Sequence, residues 1–452
     1  MKHLLAALII AGALAIPAAA SNPPTTTRVS VSSDGTQADR PTFTAGVSAN
    51  GRYVLLNSQA TNLVPGDTNE RWDVFVRDRS SGVTTRVSVS TGGDQAKATG
   101  DPSGGSTAGA MSTSGRLVVF QSDAPNLVPG DTNGTEDVFL HDLGSGVTTR
   151  VDVSSAGGQA NGWSGRPAIS ADGRYVAFAS NASNLVRHDT NRLSDVFVRD
   201  LATGRTTRVS LTSRGRQARC NLGSCESNEP ALSAHGRYVA FASSATNLVP
   251  HDTNRLADVF VRDRRTGRTS RVSVDSHGRQ GGGDRTLNGS NAPVISANGR
   301  YVAFHSADSN LVHGDTNGVF DIFVRDRRSG RTTRVSVSTA GREANQESLG
   351  AASISADGRY VAFTSLASNL VAGDSNDITD VFVHDLTTGE TLIASIGQEG
   401  NQGDDASATD GVAFSANDHQ LVFSSWAANL VAGDTNDVAD AFVRDFSGRP
   451  GG

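Results

Sequence analysis

The apolar and polar residues of this chain follow a pattern that repeats seven times. The tripeptide Asn-Leu-Val marks each copy, and its leucine recurs about every 60 residues, at Leu63, Leu127, Leu185, Leu248, Leu311, Leu370 and Leu430. A fixed period of this kind is typical of a chain that repeats one supersecondary unit. The repeat, rather than the whole chain, is therefore the structural unit to be explained.

The third copy shows that each unit has the pattern of four short strands. Residues 167–170 are apolar and lead through an Asp-Gly turn into residues 174–180, which are rich in β-formers. A polar loop precedes a third apolar run at residues 195–200, and a tight turn leads to a fourth strand at residues 205–211. Four short antiparallel strands in each of seven units predict an all-β fold, a seven-bladed β-propeller.

The two ends of the pattern carry complementary fragments of one unit. Residues 25–32 have the pattern of a fourth strand with no third strand before it, and the last unit stops after a third strand at residues 440–445. We expect residues 25–32 to join the last blade as its outer strand. This pairing closes the ring and removes the exposed sheet edges of an open array.

The aromatic residues repeat with the units. All five tyrosines follow a Gly-Arg pair at the start of the second strand, and 13 of the 17 phenylalanines fall in the second or third strand. The alternative interpretation is a stacking platform for sugars or bases. We favour packing between neighbouring blades, because a residue needed once in every unit serves the unit.

The first 20 residues have the pattern of a cleaved signal peptide. Lys2 precedes an apolar run that ends at Ile16, and small residues follow up to Ala20. The run is too short for a membrane-spanning helix. We expect cleavage near Ala20, export to the periplasm or the medium, a propeller over residues 21–446 and a flexible tail over residues 447–452. We expect no transmembrane segment in the mature chain.

Charge and cysteine content narrow the choice of partners. The chain has 40 basic and 46 acidic residues and a net charge of −6, which argues against a nucleic-acid partner because nucleic acids favour basic surfaces.

The two cysteines of the chain, Cys220 and Cys225, are predicted to form a disulfide, since a nearby pair in an exported protein favours one. A zinc site would need two further ligands. We expect a monomer.

The loop between the second and third strands carries a repeated Asp-x-Asn-x-x-x-Asp motif. Three oxygen-bearing side chains in one tight loop suit Ca²⁺. The alternative is an Asx turn, in which these side chains bond to the loop backbone. The copies are Asp67, Asn69 and Asp73; Asp131, Asn133 and Asp137; Asp189, Asn191 and Asp195; Asp252, Asn254 and Asp258; Asp315, Asn317 and Asp321; Asp374, Asn376 and Asp380; and Asp434, Asn436 and Asp440.

No catalytic constellation stands out in the sequence, which has no nucleophile elbow, no His-Glu-x-x-His motif and no phosphate loop. The connections from a fourth strand to the next first strand vary most, and strand parity places them on the same face as the Asp-x-Asn loops. Variable loops on a rigid ring are where binding specificity normally lies. The candidates there are Trp163, Arg166, Arg219, Arg285 and Glu347.

The repeat motifs also carry a family resemblance. The sequence Ser-Ala-Asp-Gly-Arg-Tyr-Val-Ala-Phe at residues 170–178, with the Asp-Thr-Asn and Asp-Val-Phe-Val-Arg-Asp motifs that follow it, resembles the WD40-like PD40 repeat of TolB-type bacterial propellers. The resemblance extends from about Thr25 to Asp445. It implies a periplasmic propeller that engages partners. TolB itself joins a six-bladed ring to a separate α/β domain, so seven units indicate a relative rather than TolB.

Two functions from different classes are consistent with these features. The first is an exported, non-enzymatic binding scaffold that engages a protein or glycan through its loop face. The alternative is a glycan-degrading or related enzyme with a site at the mouth of the propeller. A unique cluster of His, Asp, Glu or Arg over the central channel would favour the enzyme. A mouth that repeats seven-fold would favour the scaffold.

If the Asp-x-Asn loops bind Ca²⁺, removing calcium with EGTA should lower the melting temperature of the full chain, because an ion bound only to the folded form stabilises it. Thermal melts with and without EGTA, together with elemental analysis for calcium, measure this effect. An unchanged melting temperature in a chain that carries no calcium would contradict the calcium hypothesis.

Overall fold

The computed structural model of the protein describes residues 24–97, 104–219, 225–282 and 289–447. These residues form 28 β-strands, arranged in seven four-stranded antiparallel sheets, and contain no helix. The sheets are the blades of the predicted seven-bladed β-propeller, which is confirmed. The predicted signal peptide at residues 1–20 lies outside the described residues, as does the predicted tail beyond residue 447.

The first two strands of each blade form a hairpin. The first strands are β2 (Thr42–Val47), β6 (Ser106–Met111), β10 (Ser164–Ile169), β14 (Ser227–Leu232), β18 (Ser290–Ile295), β22 (Ser348–Ile354) and β26 (Ser407–Phe414). The second strands are β3 (Tyr53–Ser58), β7 (Leu117–Ser122), β11 (Tyr175–Ser180), β15 (Tyr238–Ser243), β19 (Tyr301–Ser306), β23 (Tyr360–Ser365) and β27 (Gln420–Ser425).

The last two strands complete each blade. The third strands all begin and end with aspartate: β4 (Asp73–Asp78), β8 (Asp137–Asp142), β12 (Asp195–Asp200), β16 (Asp258–Asp263), β20 (Asp321–Asp326), β24 (Asp380–Asp385) and β28 (Asp440–Asp445). The fourth strands are β1 (Thr25–Arg28), β5 (Val83–Arg86), β9 (Val147–Arg150), β13 (Arg205–Arg208), β17 (Arg268–Arg271), β21 (Arg331–Arg334) and β25 (Thr391–Ile393).

The N-terminal strand closes the ring. Strand β1 pairs antiparallel with β28, so that Thr25 lies opposite Asp445 and Arg28 lies opposite Phe442. The order β1-β28-β27-β26 gives the last blade a fourth strand from the start of the chain. The predicted closure is therefore confirmed, with a ladder that covers the first half of the predicted segment.

The first strands lie at the centre of the ring. Those of successive blades are neighbours all the way round, including β26 beside β2, and the fourth strands form the rim. The turns between first and second and between third and fourth strands open on one side, which we call the turn face. The loops between second and third strands and the connections between blades open on the other side, the loop face. None of the described residues forms a helix long and apolar enough to cross a membrane.

The repeated aromatic residues form the core. Phe178 in β11 lies opposite Phe197 in β12, with both rings fully buried and their centroids 5.9 Å apart. The same pair recurs in five other blades at 5.6–5.9 Å. The rings Phe241 and Phe260 of the fourth blade pack on Val196 of the third, so the aromatic residues fill the space between blades, as predicted.

The first strands begin earlier than the sequence pattern predicts. Strand β10 starts at Ser164, whereas its apolar run starts at Pro167, and the pairing with β11 shifts register between Gly165 and Ala168. A bulge and a proline hide the alternation that marks a strand. Arg166, which the sequence analysis placed in a variable loop, consequently lies within a strand at the channel.

Deleting residues 25–32 should abolish cooperative melting, because it exposes the edge of β28 and removes the buried Val29 and Val31 from the seam. Thermal melts followed by circular dichroism measure the change. Deletion of residues 448–452, which belong to the predicted tail over residues 447–452, is the matched control and should leave the melt unchanged. A β1 deletion that melts like the intact chain would contradict ring closure as the source of cooperativity.

Candidate functional site at the loop face

Each loop between second and third strands is held by hydrogen bonds of its Asp-x-Asn-x-x-x-Asp motif. In the third blade the Asn191 amide donates to Asp195 at 2.9 Å, and the Asn191 oxygen accepts from the backbone N–H of Leu193 at 3.4 Å. The Ser210 hydroxyl donates to the other oxygen of Asp195 at 2.5 Å. These bonds hold the loop onto its own blade, as the Asx-turn alternative expects.

An arginine from the fourth strand lies between the two aspartates of the motif. Arg208 contacts Asp189 at 2.8 Å and Asp195 at 2.9 Å, and all three side chains are largely buried. The guanidinium supplies positive charge at the position where a cation shared by both carboxylates would bind. Six blades have this arginine, at Arg28, Arg86, Arg150, Arg208, Arg271 and Arg334.

The sixth blade lacks this arginine. Ile393 lies opposite Phe382, which is the position that Arg208 holds opposite Phe197 in the third blade. The carboxylate of Asp380 instead accepts hydrogen bonds from two neutral groups among the described residues, the Ser395 hydroxyl at 2.5 Å and the Asn376 amide of its motif at 3.0 Å. Burial raises the pKa of Asp380 to about 6.

The calcium hypothesis for these loops stays a prediction. Within the residues that the structure describes, no group of three or more His, Cys, Asp or Glu side chains is arranged to hold a metal ion. In six loops a bound ion would also have to compete with the guanidinium. Sequence analysis did not consider this arginine, because it lies outside the motif: it follows the last motif aspartate by 13 residues in five blades, and in the seventh blade it is Arg28, from the start of the chain.

The predicted disulfide lies at the edge of the described residues. Cys225 is buried, at 5% exposure, just before β14. Cys220 lies outside the described residues, so the bridge between the two stays a prediction.

A second set of contacts, at the channel mouth on the loop face, does not repeat from blade to blade. Arg166 in β10 forms an ion pair with Glu229 in β14 at 2.8 Å. Glu229 also accepts from the backbone N–H of Ala292 in β18 at 2.7 Å, and the backbone N–H of Arg166 donates to the Gln121 side chain in β7 at 2.7 Å. These contacts join the second, third, fourth and fifth blades.

A tryptophan extends this set of contacts. The Trp163 indole N–H donates to Glu136 at 2.6 Å, and the Gln121 amide donates to the other oxygen of Glu136 at 3.4 Å. Trp163 and Arg166 also line one cleft of about 360 Å³ between the third and fourth blades. We call Gln121, Glu136, Trp163, Arg166 and Glu229 the mouth cluster.

The backbone holds the charged pair of the mouth cluster in an unusual conformation. Arg166 and Glu229 have φ angles of 52° and 55°, in the left-handed region that non-glycine residues rarely adopt. Each precedes a proline, and each sits at a shift of strand register. Bulges of this kind redirect a side chain at the rim of a sheet and concentrate beside functional sites. The same bulge occurs in the fifth blade, where Ala292 has φ 48° and also precedes a proline. The conformation therefore belongs to the repeat, and the charged pair that it directs is what distinguishes the third and fourth blades.

The loop face also carries the three tryptophans of the chain, each at a different position of the repeat. Besides Trp163, Trp72 stacks on Phe43 with ring centroids 5.6 Å apart, and Trp426 follows β27 with 39% of its surface exposed. Aromatic faces next to polar side chains suit sugars and peptides, which present both apolar and hydrogen-bonding surfaces.

The histidine on the second strand of the fifth blade has a packing role. The His305 ring stacks on Phe320 with centroids 4.2 Å apart, and its Nδ1 contacts the Asn291 side chain at 3.0 Å. Burial lowers the pKa of His305 to about 4, so the ring is neutral near pH 7. His305 therefore serves packing rather than charge.

The structure brings together two of the five variable-loop candidates, Trp163 and Arg166. Arg219 lines a separate cleft on the loop face, and Glu347 lies beside the sixth blade, where its carbonyl accepts from the second strand. Arg285 lies outside the described residues.

Sequence reasoning missed Gln121, Glu136 and Glu229. Gln121 is the fifth residue of its second strand, a position that holds six different residue types across the seven blades: Asn57, Gln121, Ala179, Ala242, His305, Thr364 and Ser424. This position varies from blade to blade while the neighbouring positions of the strand are nearly constant. That variation was the signal in the sequence that could have identified Gln121. Variation in the loops alone does not reveal this strand position.

Comparison with known proteins places the fold. No family model matches the chain, and no curated protein matches it. Among solved structures, an oligogalacturonate lyase in complex with manganese is 12% identical over 93% of this chain and 92% of its own, with a TM-score of 0.52. TolB from Acinetobacter baumannii is 12% identical over 78% of this chain and 63% of its own, with a TM-score of 0.39.

A prolyl endopeptidase is also similar, at 10% identity over 86% of this chain and 47% of its own, with a TM-score of 0.48. The likeness to the lyase shows the fold alone. The chain thus spans about half the length of the endopeptidase and less than two thirds of the TolB chain. The function has to be argued from the mouth cluster.

Replacing Ile393 with arginine should stabilise the protein by about 1–3 kcal/mol near pH 7, because it supplies the sixth blade with the cation that six blades already have. The folded-state pKa of Asp380, about 6, lies above its ordinary value of 3.8. The stability that Asp380 contributes is therefore complete below pH 3.8 and is lost as the pH rises through 6. The gain from I393R should accordingly be larger near pH 7 than near pH 4.

Denaturant unfolding at the two pH values measures this difference. The reverse change in the fifth blade, R334I, is the matched control and should destabilise the protein by about 3 kcal/mol, since it leaves buried carboxylates without their cation. If I393R gave no gain near pH 7 while R334I gave a loss, the two loops would not be equivalent and the interpretation would be wrong.

Proposed function

We propose that the protein is an exported binding scaffold, a propeller of the PD40 type, that engages a protein or glycan partner through the mouth cluster on its loop face. The observation that carries the scaffold over an enzyme is that both carboxylates of the mouth cluster, Glu136 and Glu229, are engaged by other groups of the protein. The ion pair between Arg166 and Glu229 across two blades marks the mouth as the candidate site for either function. A pair that serves only the ring would recur at every junction, as the motif arginines do in six blades.

The mouth cluster is accessible to a partner. The side chain of Arg166 is 52% exposed and that of Glu229 is 32% exposed. The guanidinium can present two parallel N–H groups to a carboxylate or a pair of hydroxyl groups, and the nearby Trp163 ring supplies an apolar surface. Such a combination recognises an acidic or polyhydroxylated ligand.

The bonding of the cluster's carboxylates supports binding rather than catalysis. Glu136 accepts from Trp163 and Gln121, and Glu229 accepts from Arg166 and Ala292. Carboxylates engaged in this way hold neighbouring side chains in place, whereas a general acid or base needs a free path to the substrate.

The glycan-degrading enzyme is the second candidate. It is favoured by one observation, that the mouth of the channel does not repeat seven-fold. It would use the same cluster, with the site between the third and fourth blades. The pattern of the first 20 residues supports export for either function.

A glycan array and a pull-down from the native secretome, both with the full mature chain, should identify the partner. The variant R166A should weaken binding of that partner by about tenfold or more, the effect of losing a hydrogen bond to a charged group. R174A is the matched control, because Arg174 is a half-exposed arginine of the same blade, paired with Asp200 at 2.9 Å on the turn face.

Equal losses in R166A and R174A would contradict the proposed surface. The same incubations should be assayed for release of new reducing ends or unsaturated sugars. Turnover that R166A or E229Q abolishes would replace the scaffold with the enzyme.

A further inference from the structure

The turn face carries a cavity of about 340 Å³ between the sixth and seventh blades, on the opposite side of the ring from the mouth cluster. This volume is in the range of small-ligand pockets. Val383, Leu392, Phe414 and Phe446 give it apolar walls, and the ring of Tyr360 lies against it. Neither the motif loops nor the proposed function accounts for it.

A single departure from the repeat explains why the cavity lies at this junction. In the other blades a glycine with positive φ occupies the turn between first and second strands, and it packs on the previous blade so closely that a Cβ at Gly236 would overlap the Tyr175 ring. The same holds for Gly299 on Tyr238. The seventh blade has Asp418 there, with φ 61°. Its side chain takes the place of that close contact beside Tyr360.

Two apolar side chains, Phe446 and Leu392, line the cavity. Tyr175 is covered by Arg174 at 4.9 Å and by Arg264 of the next blade at 4.3 Å. Tyr360 has Arg359 at 4.7 Å, but Phe446 holds the position after the third strand that Arg264 holds. In β25, Leu392 lies opposite Val383, where the third blade has a threonine. Leucines hold the position of Phe446 in the second, third and sixth blades, so the departure peculiar to this junction is Leu392, at a position that is Thr or Ser in the other blades. Leu392 adds apolar surface inside the cavity.

The rim of the cavity is acidic. Asp357, Glu390 and Asp418 line it, and the salt bridge of this junction in the described residues joins Arg359 to Asp385 at 2.9 Å. Within the part of the chain that the structure describes, the Asp418 carboxylate accepts one hydrogen bond, from the backbone N–H of Ala356 at 3.3 Å. Burial, with the nearby charge of Asp357, raises the pKa of Asp418 to about 6, although His419 and Arg359 partly oppose this. A further positive charge at the rim would therefore be favourable.

We propose that this junction cavity binds an ammonium or guanidinium group carried on an apolar body. The apolar walls would hold the body, and the carboxylates of Asp418, Asp357 and Glu390 would hold the cationic head. The group can belong to a small amine or to a lysine or arginine side chain of a partner. The inference is independent of the mouth cluster.

Isothermal titration calorimetry of the full mature chain tests the proposal with three probes. Phenethylamine should bind at one site, and 3-phenylpropionate, which has the same ring with a negative head, should bind at least about tenfold more weakly. The blocked peptide acetyl-Gly-Lys-Gly-amide distinguishes the source. Tighter binding of the peptide than of the amine supports a partner's side chain, and the reverse supports a small amine.

Variant D418G restores the glycine that the other six blades have at this turn. It should weaken phenethylamine binding at least about tenfold while leaving the melting temperature equal or higher, because glycine adopts positive φ without strain. D172N is the matched control, since it removes a carboxylate from the same turn of the third blade and should leave binding unchanged. Absence of binding by both cationic probes at millimolar concentration would overturn the proposal. Equal binding of the carboxylate probe, or wild-type binding by D418G, would do the same.

Discussion

The antiparallel ladder between β1 and β28 is the interaction on which the rest of the structure depends. Seven blades each bury their aromatic residues against a neighbour, so an open array would leave one apolar blade face and one sheet edge in water. The ladder runs from Thr25 opposite Asp445 to Arg28 opposite Phe442 and places the chain's first strand in its last blade. Every junction then has a partner, and the channel at the centre has a fixed shape.

The repeat separates structural residues from candidate functional ones. Residues that return in every blade, such as the phenylalanine pairs and the motif aspartates, build the ring. Residues that break the repeat at a strained or open place gather at two sites. The mouth cluster lies on the loop face, and the junction cavity around Asp418 lies on the turn face. An internal repeat thus provides the comparison that a set of related sequences would otherwise provide.

The fold could be predicted from the sequence because the period, the Asp-Gly turns and the orphan strand at residues 25–32 are all local patterns. The third strand of the third blade was predicted at its observed bounds, Asp195–Asp200. The site was predicted only in part. Arg166 was found as a variable residue, but its pairing with Glu229 joins residues 63 positions apart through a bulge that the apolar pattern does not reveal. The motif arginine was missed for the same reason, since its contact forms only when the hairpin folds.

The position of Phe446 has a consequence for how the ring responds to load. Phe446 directly follows β28, so one segment walls the junction cavity and also carries the strand that receives β1. Any molecule that settles against Phe446 would brace this segment, and its binding free energy would add to the work needed to pull the first strand out. Ligand binding in the junction cavity would then raise the force needed to separate β1 from β28, so the turn face would control the mechanical stability of ring closure.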